Sequence, residues 1–160
     1  MLTACTNIDC PLDSVVVMTL SFFDAEEEAE APLNCTLSIE AAGAGTLLNA
    51  EANVKSVQVP VSVGAPVDTL YLMLDDGTLV ATDTLYVSHT NEAHFEAMDC
   101  PGAVFHHITD LKLLPHTDGM LPFVLDSARI IRPLVDYNDV ENIRIYFHIL
   151  PSGDTPSSLR

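Results

Sequence analysis

A group of four histidines is the strongest candidate for chemistry in the sequence. His89, His94, His106 and His107 fall within 19 residues, and three carboxylates lie among them: Glu92, Glu96 and Asp99. Neutral imidazole is a good zinc ligand, and a carboxylate can act as a third ligand or as a base on bound water. The pattern raises the hypothesis of a zinc site built from His89, His94 and His106, in a metal-binding protein or a metal-dependent hydrolase.

The spacing of these histidines limits that hypothesis. His106 and His107 are neighbours in a predicted strand and point to opposite faces, so at most one of them could join a site. His89 and His94 are five residues apart across a predicted strand end, and they face one site only if the following loop folds back. The alternative is that the histidines cap backbone groups of loops beside a disulfide.

Sequence patterns of other catalytic centres are absent. The chain has no Gly-x-Ser-x-Gly elbow, no glycine-rich phosphate loop, no His-Glu-x-x-His and no Cys-x-x-Cys. Each of these patterns holds reactive groups in a geometry that the chemistry requires. The acidic run from Asp24 to Glu30 lacks the spaced carboxylates and glycine of a calcium loop, so we predict a solvated hairpin tip there. We therefore assign no catalytic residue and favour a protein that is not an enzyme.

Two of the four cysteines share a sequence frame. Cys10 and Cys100 each follow an apolar residue and Asp and precede Pro, whereas Cys35 belongs to an alternating stretch and faces a strand's inner side. We predict a Cys10–Cys100 disulfide, closing a loop of about 90 residues and stabilising the fold by about 4 kcal/mol. Such a bond indicates an oxidising compartment. Four reduced thiols in a cytosolic protein are the alternative.

The N-terminal residues resemble the cleavage site of a bacterial lipoprotein. In Met1-Leu2-Thr3-Ala4-Cys5, a Leu, a small polar residue and an Ala precede the cysteine, which would become the lipid-bearing N-terminus. The charged and apolar regions of a signal peptide would lie upstream of Met1. An ordinary N-terminus is the alternative. We expect a location in the cell envelope, lipid-anchored at Cys5, on the periplasmic face or at the cell surface.

The elements that must position these groups follow a period of two. Val15–Phe23 is a continuous apolar run, typical of a strand covered on both faces, and Asp75-Asp76-Gly77 has the sequence of a tight hairpin turn. Pro60 indicates an edge strand or a bulge. Only residues 91–99 could form a turn or two of helix. We predict an all-β fold, an antiparallel β-sandwich of about eight strands with little or no helix.

The sandwich is predicted to occupy residues 14–150, after an N-terminal tether (1–13) and before a flexible tail (151–160). Strand alternation predicts nine side chains in one core: Leu37, Ile39, Leu70, Leu72, Leu85, Val87, Ile131, Ile143 and Ile145.

Composition excludes some partners. The 160 residues carry 23 acidic and 6 basic side chains, a net charge of −17 at pH 7. So few cations cannot neutralise a run of phosphates, which disfavours nucleic acid, and the same balance disfavours an anionic membrane surface. No apolar stretch reaches the roughly 18 residues of a membrane-spanning helix. The expected link to a membrane is therefore the lipid anchor alone.

A set of landmarks runs from the first cysteine to the last strands: Cys-x4-Cys-Pro at Cys5–Pro11, Ser88-His89-Thr90-Asn91, His94-Phe95-Glu96, Asp99-Cys100-Pro101, Phe105-His106 and Ile131-Arg132-Pro133. Together they resemble an uncharacterised family of small lipoproteins from gut-dwelling bacteria, a domain of unknown function. The resemblance implies a secreted, lipid-anchored, β-rich domain and brings no known activity.

These observations lead to one expectation and one alternative. The expectation is a non-enzymatic, lipid-anchored binding or structural module of the bacterial cell envelope, without a cofactor, whose ligand or protein partner the residues do not identify. The alternative is a zinc-binding protein or zinc-dependent hydrolase centred on His89 and His94.

Overall fold

The computed structural model describes residues 10, 15–117 and 121–150, and within these residues it contains strands and no helix. The strands are β1 (Val17–Asp24), β2 (Ala29–Glu30), β3 (Thr36–Ala41), β4 (Gly45–Ala52), β5 (Ser56–Pro60), β6 (Val67–Asp75), β7 (Val80–His94), β8 (Ala103–Leu114), β9 (Phe123–Ile130), β10 (Leu134–Val135) and β11 (Glu141–Ile149).

The strands form two sheets. The first has the order β2-β1-β11-β9, with β5 also paired to β1, and the second has the order β10-β8-β7-β6-β3-β4. The predicted all-β, sandwich-like fold is confirmed. The pairing is antiparallel except between β1 and β11, which are parallel. A parallel pair needs a long connection, and here all the other strands lie between the two in sequence.

The core lies between the inner faces of the two sheets. Eight of the nine predicted core side chains are at most 1% exposed. Ile131 is the exception, with 44% exposure, and its prediction was wrong. Strand β9 ends at Ile130, and the amides of Ile131 and Arg132 turn aside to donate to the Asn142 carbonyl, so the strand alternation no longer applies there.

The two faces of strand β1 have different surroundings. Met18, Leu20 and Phe22 enter the core with at most 1% exposure. On the outer face, the guanidinium of Arg144 lies 3.9 Å from the centroid of the Phe23 ring, a cation–π distance. The prediction of a strand covered on both faces is therefore confirmed for the inner face, whereas the outer-face residues Val17, Thr19 and Phe23 are only partly buried.

Turns and edges follow the sequence signals closely. Gly77, in the turn between β6 and β7, has a φ of 92°, which favours glycine. The acidic segment between β1 and β2 is exposed, and the Asp24 carboxylate accepts the amides of Glu26 and Glu27 at 2.8 and 3.2 Å. Pro60 is the last residue of β5, which pairs only with β1 and forms an edge.

Strand β7 is longer than the sequence suggests. It runs 15 residues, from Val80 to His94, and pairs with β8 as far as the His94–Ala103 pair. The prediction of a helical turn in residues 91–99 is therefore wrong for its first part, since Asn91 to His94 are extended. Pairing with the long β8 satisfies the backbone groups of these residues and outweighs their weak local preference.

The predicted disulfide is present between Cys10 and Cys100, with a Cα–Cα distance of 5.4 Å and a sequence separation of 90 residues. Cys35 is a free, buried thiol, as expected for the inner side of a strand. Burial is the main cause that raises its pKa to about 11. Cys35 is therefore a packing residue at neutral pH.

Some predictions fall outside the described residues. They concern Cys5 with the segment 1–9, the neighbouring segment 11–14, and the C-terminal tail 151–160. Among the described residues, no helix has the length and apolarity required to cross a membrane.

Candidate functional site

The register between β7 and β8 brings two of the candidate histidines together. Asn91 pairs directly with His106 across the strands, and His89 lies two residues before Asn91 on the same strand face. The Nδ1 atoms of His89 and His106 each lie 2.7 Å from the Asn91 Oδ1 atom. The two imidazole rings meet edge to face, with centroids 5.3 Å apart. Asn91 is thus the centre of this arrangement.

The orientation of the Asn91 amide defines the tautomers of both histidines. Its Nδ2 group donates to the carbonyls of Val63 and Ala65, at 3.1 and 3.3 Å. The Oδ1 atom therefore faces the imidazoles as an acceptor, and both Nδ1 atoms carry the proton that they donate. The network also ties the loop after β5 to strand β7.

Burial acts on the protonation of His106. The residue is 2% exposed, and burial, followed by the nearby His89, lowers the pKa of His106 to about 4. The carboxylate of Asp68 acts in the opposite direction but more weakly. His106 is therefore a neutral hydrogen-bond donor at pH 7, because an imidazolium would lose its hydration there.

Asp68 completes the arrangement on the side of β6. Its Oδ2 atom lies 3.3 Å from the Nε2 atom of His89 and accepts the Ser62 amide at 2.9 Å. The His89 side chain is 0% exposed and that of Asp68 is 11% exposed. We call His89, Asn91, His106 and Asp68 the histidine cluster.

His94 lies apart from the histidine cluster. Its ring stacks on the Phe105 ring, with centroids 4.1 Å apart, and meets the Tyr137 ring edge to face, with centroids 5.9 Å apart. Its Nε2 atom lies 2.8 Å from the Glu96 Oε1 atom. Strand β7 continues straight to His94, and residues five apart in a strand face opposite sides. The loop does not fold back as a shared site with His89 would require. Within residues 10, 15–117 and 121–150, no three His, Cys, Asp or Glu side chains are grouped to hold a metal ion.

His107 points away from the cluster, as its position beside His106 predicts. It is exposed, whereas His106 is buried. The expectation that only one of this pair could join a site is therefore confirmed.

A cleft of about 420 Å³ lies beside the histidine cluster. The turn after β3 forms one wall, and the segment that follows β5 forms the other. The lining is mostly aliphatic: Ala41, Ala42, Gly43, Ala44, Leu47, Pro60, Val61, Ser62, Val63, Ala65, Val67, Asp68 and Leu70. Ser62 and Asp68 are its polar side chains. Because Val63 and Ala65 accept hydrogen bonds from Asn91, the histidine cluster also supports one wall of the cleft.

A second buried polar pair lies near the other end of β7, close to its first residues. The Oδ1 atom of Asp83 accepts the backbone amide of His116 at 2.7 Å and lies 2.6 Å from its Nδ1 atom. The side chains of Asp83 and His116 are 0% and 4% exposed. Sequence reasoning missed this pair. The available signal was Asp83 itself, a charged residue at an inward position between Ala81 and Leu85, since a buried charge requires a partner.

Asn91 and Asp68 were missed for another reason. The spacing of His89 and Asn91 places them on one strand face, but the partner of Asn91 depends on which residue of β8 lies opposite. Asp68 is 21 positions before His89, and only the pairing of β6 with β7 brings them together. Neither residue belongs to a motif with a recognised spacing.

Comparison with known protein families gives one match. A model described as a family of unknown function, DUF6452, matches residues 36–147. The chain belongs to this family. The DUF6452 match begins in β3 and ends in β11, so it includes the histidine cluster, every lining residue of the cleft and Cys100. A search of curated proteins and a search of solved structures find no match.

Proposed function

We propose that this DUF6452 protein is a non-enzymatic binding module of the bacterial cell envelope, anchored by a lipid on Cys5, and that it binds a small ligand in the cleft beside the histidine cluster. The cleft is the observation that carries the proposal. Its volume of about 420 Å³ lies within the range of about 300–1,000 Å³ typical of small-molecule sites. An aliphatic lining with a few placed polar groups is also typical of such sites.

The network behind the cleft supports binding more than catalysis. His89 and His106 both donate through Nδ1 to Asn91, so their protons maintain the wall of the cleft. The His89 side chain is fully buried behind Asp68. Neither imidazole is therefore placed to exchange a proton with a molecule in the cleft, as a general acid or base must.

The disulfide supports a location outside the cytoplasm. A bond such as Cys10–Cys100 persists in oxidising compartments and is rare in the cytosol. Cys10 lies five residues after Cys5, so a lipid on Cys5 would be joined to the sandwich by a short segment of chain. The resemblance of the protein's sequence landmarks to those of small bacterial lipoproteins favours the same location.

Binding in the cleft is tested by blocking it. We expect n-octanol to produce saturable amide shifts in ¹H–¹⁵N spectra of the wild-type protein, confined to residues that line the cleft. Ala42 is an exposed lining residue, and Ala42→Trp should weaken octanol binding at least tenfold. Ala29→Trp, on the exposed strand β2, is the matched control and should bind like the wild type. The absence of saturable shifts at the cleft in the wild type would contradict the proposal.

Anchoring is tested separately. The gene, with any coding sequence upstream of Met1, is expressed in a bacterial host supplied with a labelled fatty acid. The wild type should carry the label and fractionate with membranes, and Cys5→Ser should do neither. Cys35→Ala removes a buried cysteine instead and should keep the label. An unlabelled, soluble wild-type protein would exclude the lipid anchor and leave the cleft proposal standing.

Zinc binding is the alternative function, and it has its own test. His89 and His106 adjoin each other with Asp68, but their Nδ1 atoms are engaged with Asn91 and His94 lies elsewhere. Metal analysis of protein purified without a histidine tag gives the answer. Stoichiometric zinc that is lost in His89→Ala or in His94→Ala would replace the binding-module proposal, and zinc-free protein with an intact cleft would support the binding module.

A further inference from the structure

The cleft contains one ionisable side chain, and it is an acid. Among its lining residues Asp68 alone can carry a charge. Its side chain is 11% exposed and thus mostly withdrawn from water. The Oδ2 atom is occupied, since it accepts the Ser62 amide and faces His89. Within the part of the chain that the structure describes, no hydrogen bond to Oδ1 is found, so this oxygen is available as an acceptor.

The Ser62 amide donates to Oδ2 of Asp68, and His89 packs behind the carboxylate, so neither group occupies Oδ1. His89 packs against the inner side with its Nε2 atom 3.3 Å from Oδ2, and this Nε2 atom is buried without a hydrogen bond among the described residues. Asn91 restrains the His89 ring through Nδ1. The carboxylate is therefore pre-organised, which reduces the entropy cost of binding a ligand to it.

The charge around the cleft favours a positively charged ligand. The protein carries a net charge of −17, and no Lys or Arg lines the cleft. A negative potential of this kind attracts cations and repels anions, and a low-dielectric aliphatic lining strengthens the interaction with Asp68. A carboxylate or phosphate ligand would find no Lys or Arg among the lining residues.

We infer that the ligand is a small apolar molecule that carries an amine or ammonium group. This inference rests on the proposed binding function and names the class of its ligand. The cationic group donates to Asp68 Oδ1, and the apolar part lies along Leu47, Val61 and Leu70. The Ser62 hydroxyl is uncharged, and its Oγ atom already accepts the Ala65 amide.

Three probes of equal chain length test the inference: n-octylammonium, n-octanol and n-octanoate, each used below its aggregation concentration at pH 7. Calorimetry or amide shifts give the dissociation constants. We expect octylammonium to bind at least tenfold more tightly than octanol, and octanoate to bind more weakly than both. Raising the salt concentration should reduce the preference for octylammonium, because ions screen charges near the surface.

Asp68→Asn removes the charge and keeps the shape. It should abolish the preference for octylammonium and leave octanol binding within twofold of the wild type, which also shows that the cleft is intact. Asp126→Asn changes the net charge equally on strand β9 of the other sheet, and it should keep the preference.

The outcomes separate the inference from the proposed function. Equal binding of octylammonium and octanol to the wild type would overturn the inference and leave a neutral apolar ligand for the cleft. A preference that survives Asp68→Asn would remove Asp68 as the cation's partner and overturn the inference too. If none of the probes binds the wild type at the cleft, the proposed function fails together with the inference. Should Asp68→Asn not fold, the three-probe comparison in the wild type still decides whether a cation is preferred.

Discussion

Lowering the pH from 7 to 5 should destabilise the folded protein through one buried side chain, His106. In the unfolded chain this imidazole has its ordinary pKa of 6.5, whereas burial in the histidine cluster lowers the pKa to about 4. As the pH falls, the unfolded state therefore binds the proton first. The stability from the neutral ring is present above about pH 6.5 and is lost as the pH falls toward 4.

The size of the effect follows from the two pKa values. Between pH 7 and pH 5, the difference in proton binding lowers the free energy of unfolding by about 2 kcal/mol, and the full shift corresponds to about 3 kcal/mol below pH 4. The pH range is chosen so that the protonation of carboxylates contributes little to the change in stability. The Asp136 carboxyl, whose pKa is held far below its ordinary value by Arg132, loses its contribution only as the pH falls below about 4.

Urea denaturation of the oxidised protein at pH 7 and pH 5 measures the effect. His106→Asn can keep a donor toward Asn91 but cannot titrate, so the wild type should lose about 2 kcal/mol more than this variant between the two pH values. His107→Asn changes the exposed neighbour on the opposite strand face and should behave like the wild type. Equal losses in the wild type and in His106→Asn would refute the conclusion that the fold holds this ring neutral.

Three further predictions concern the fold and use the same denaturation assay. Leu72→Ala, at a position with 0% exposure, should lower the free energy of unfolding by about 2–5 kcal/mol. Ile131→Ala should lower it by less than about 1 kcal/mol, and equal losses would contradict the core assignment. Asn142→Ala removes hydrogen bonds to one amide and two carbonyls and should cost about 2–4 kcal/mol, against less than about 1 kcal/mol for the exposed Asn138→Ala. An alanine Cβ at position 77 would meet no neighbouring atom, so only the positive φ opposes Gly77→Ala. We expect the free energy of unfolding to fall by about 1–2 kcal/mol, and an unchanged stability would argue against that turn.

Local patterns in the sequence indicated the all-β fold and the inner faces of several strands. Alternation placed Leu37, Leu72 and Ile145 in the core, because side chains of a strand point to opposite faces in turn. Asp-Gly indicated the hairpin at Gly77, since a tight turn requires a positive φ. The shared frame of Cys10 and Cys100 indicated their pairing. Each of these properties depends on residues close in sequence or on a pattern that two segments share.

The candidate site was decided by tertiary structure. Alternation says which face of a strand a side chain occupies, but it does not say which residue of another strand lies opposite. The pairing of Asn91 with His106 and the approach of Asp68 to His89 depend on register across β6, β7 and β8. Ile131 lies outside the core because β9 ends at the preceding residue, Ile130. The cleft has the same origin, since its walls come from a turn of one sheet and a segment after a strand of the other, and only the packing of the sheets brings them together.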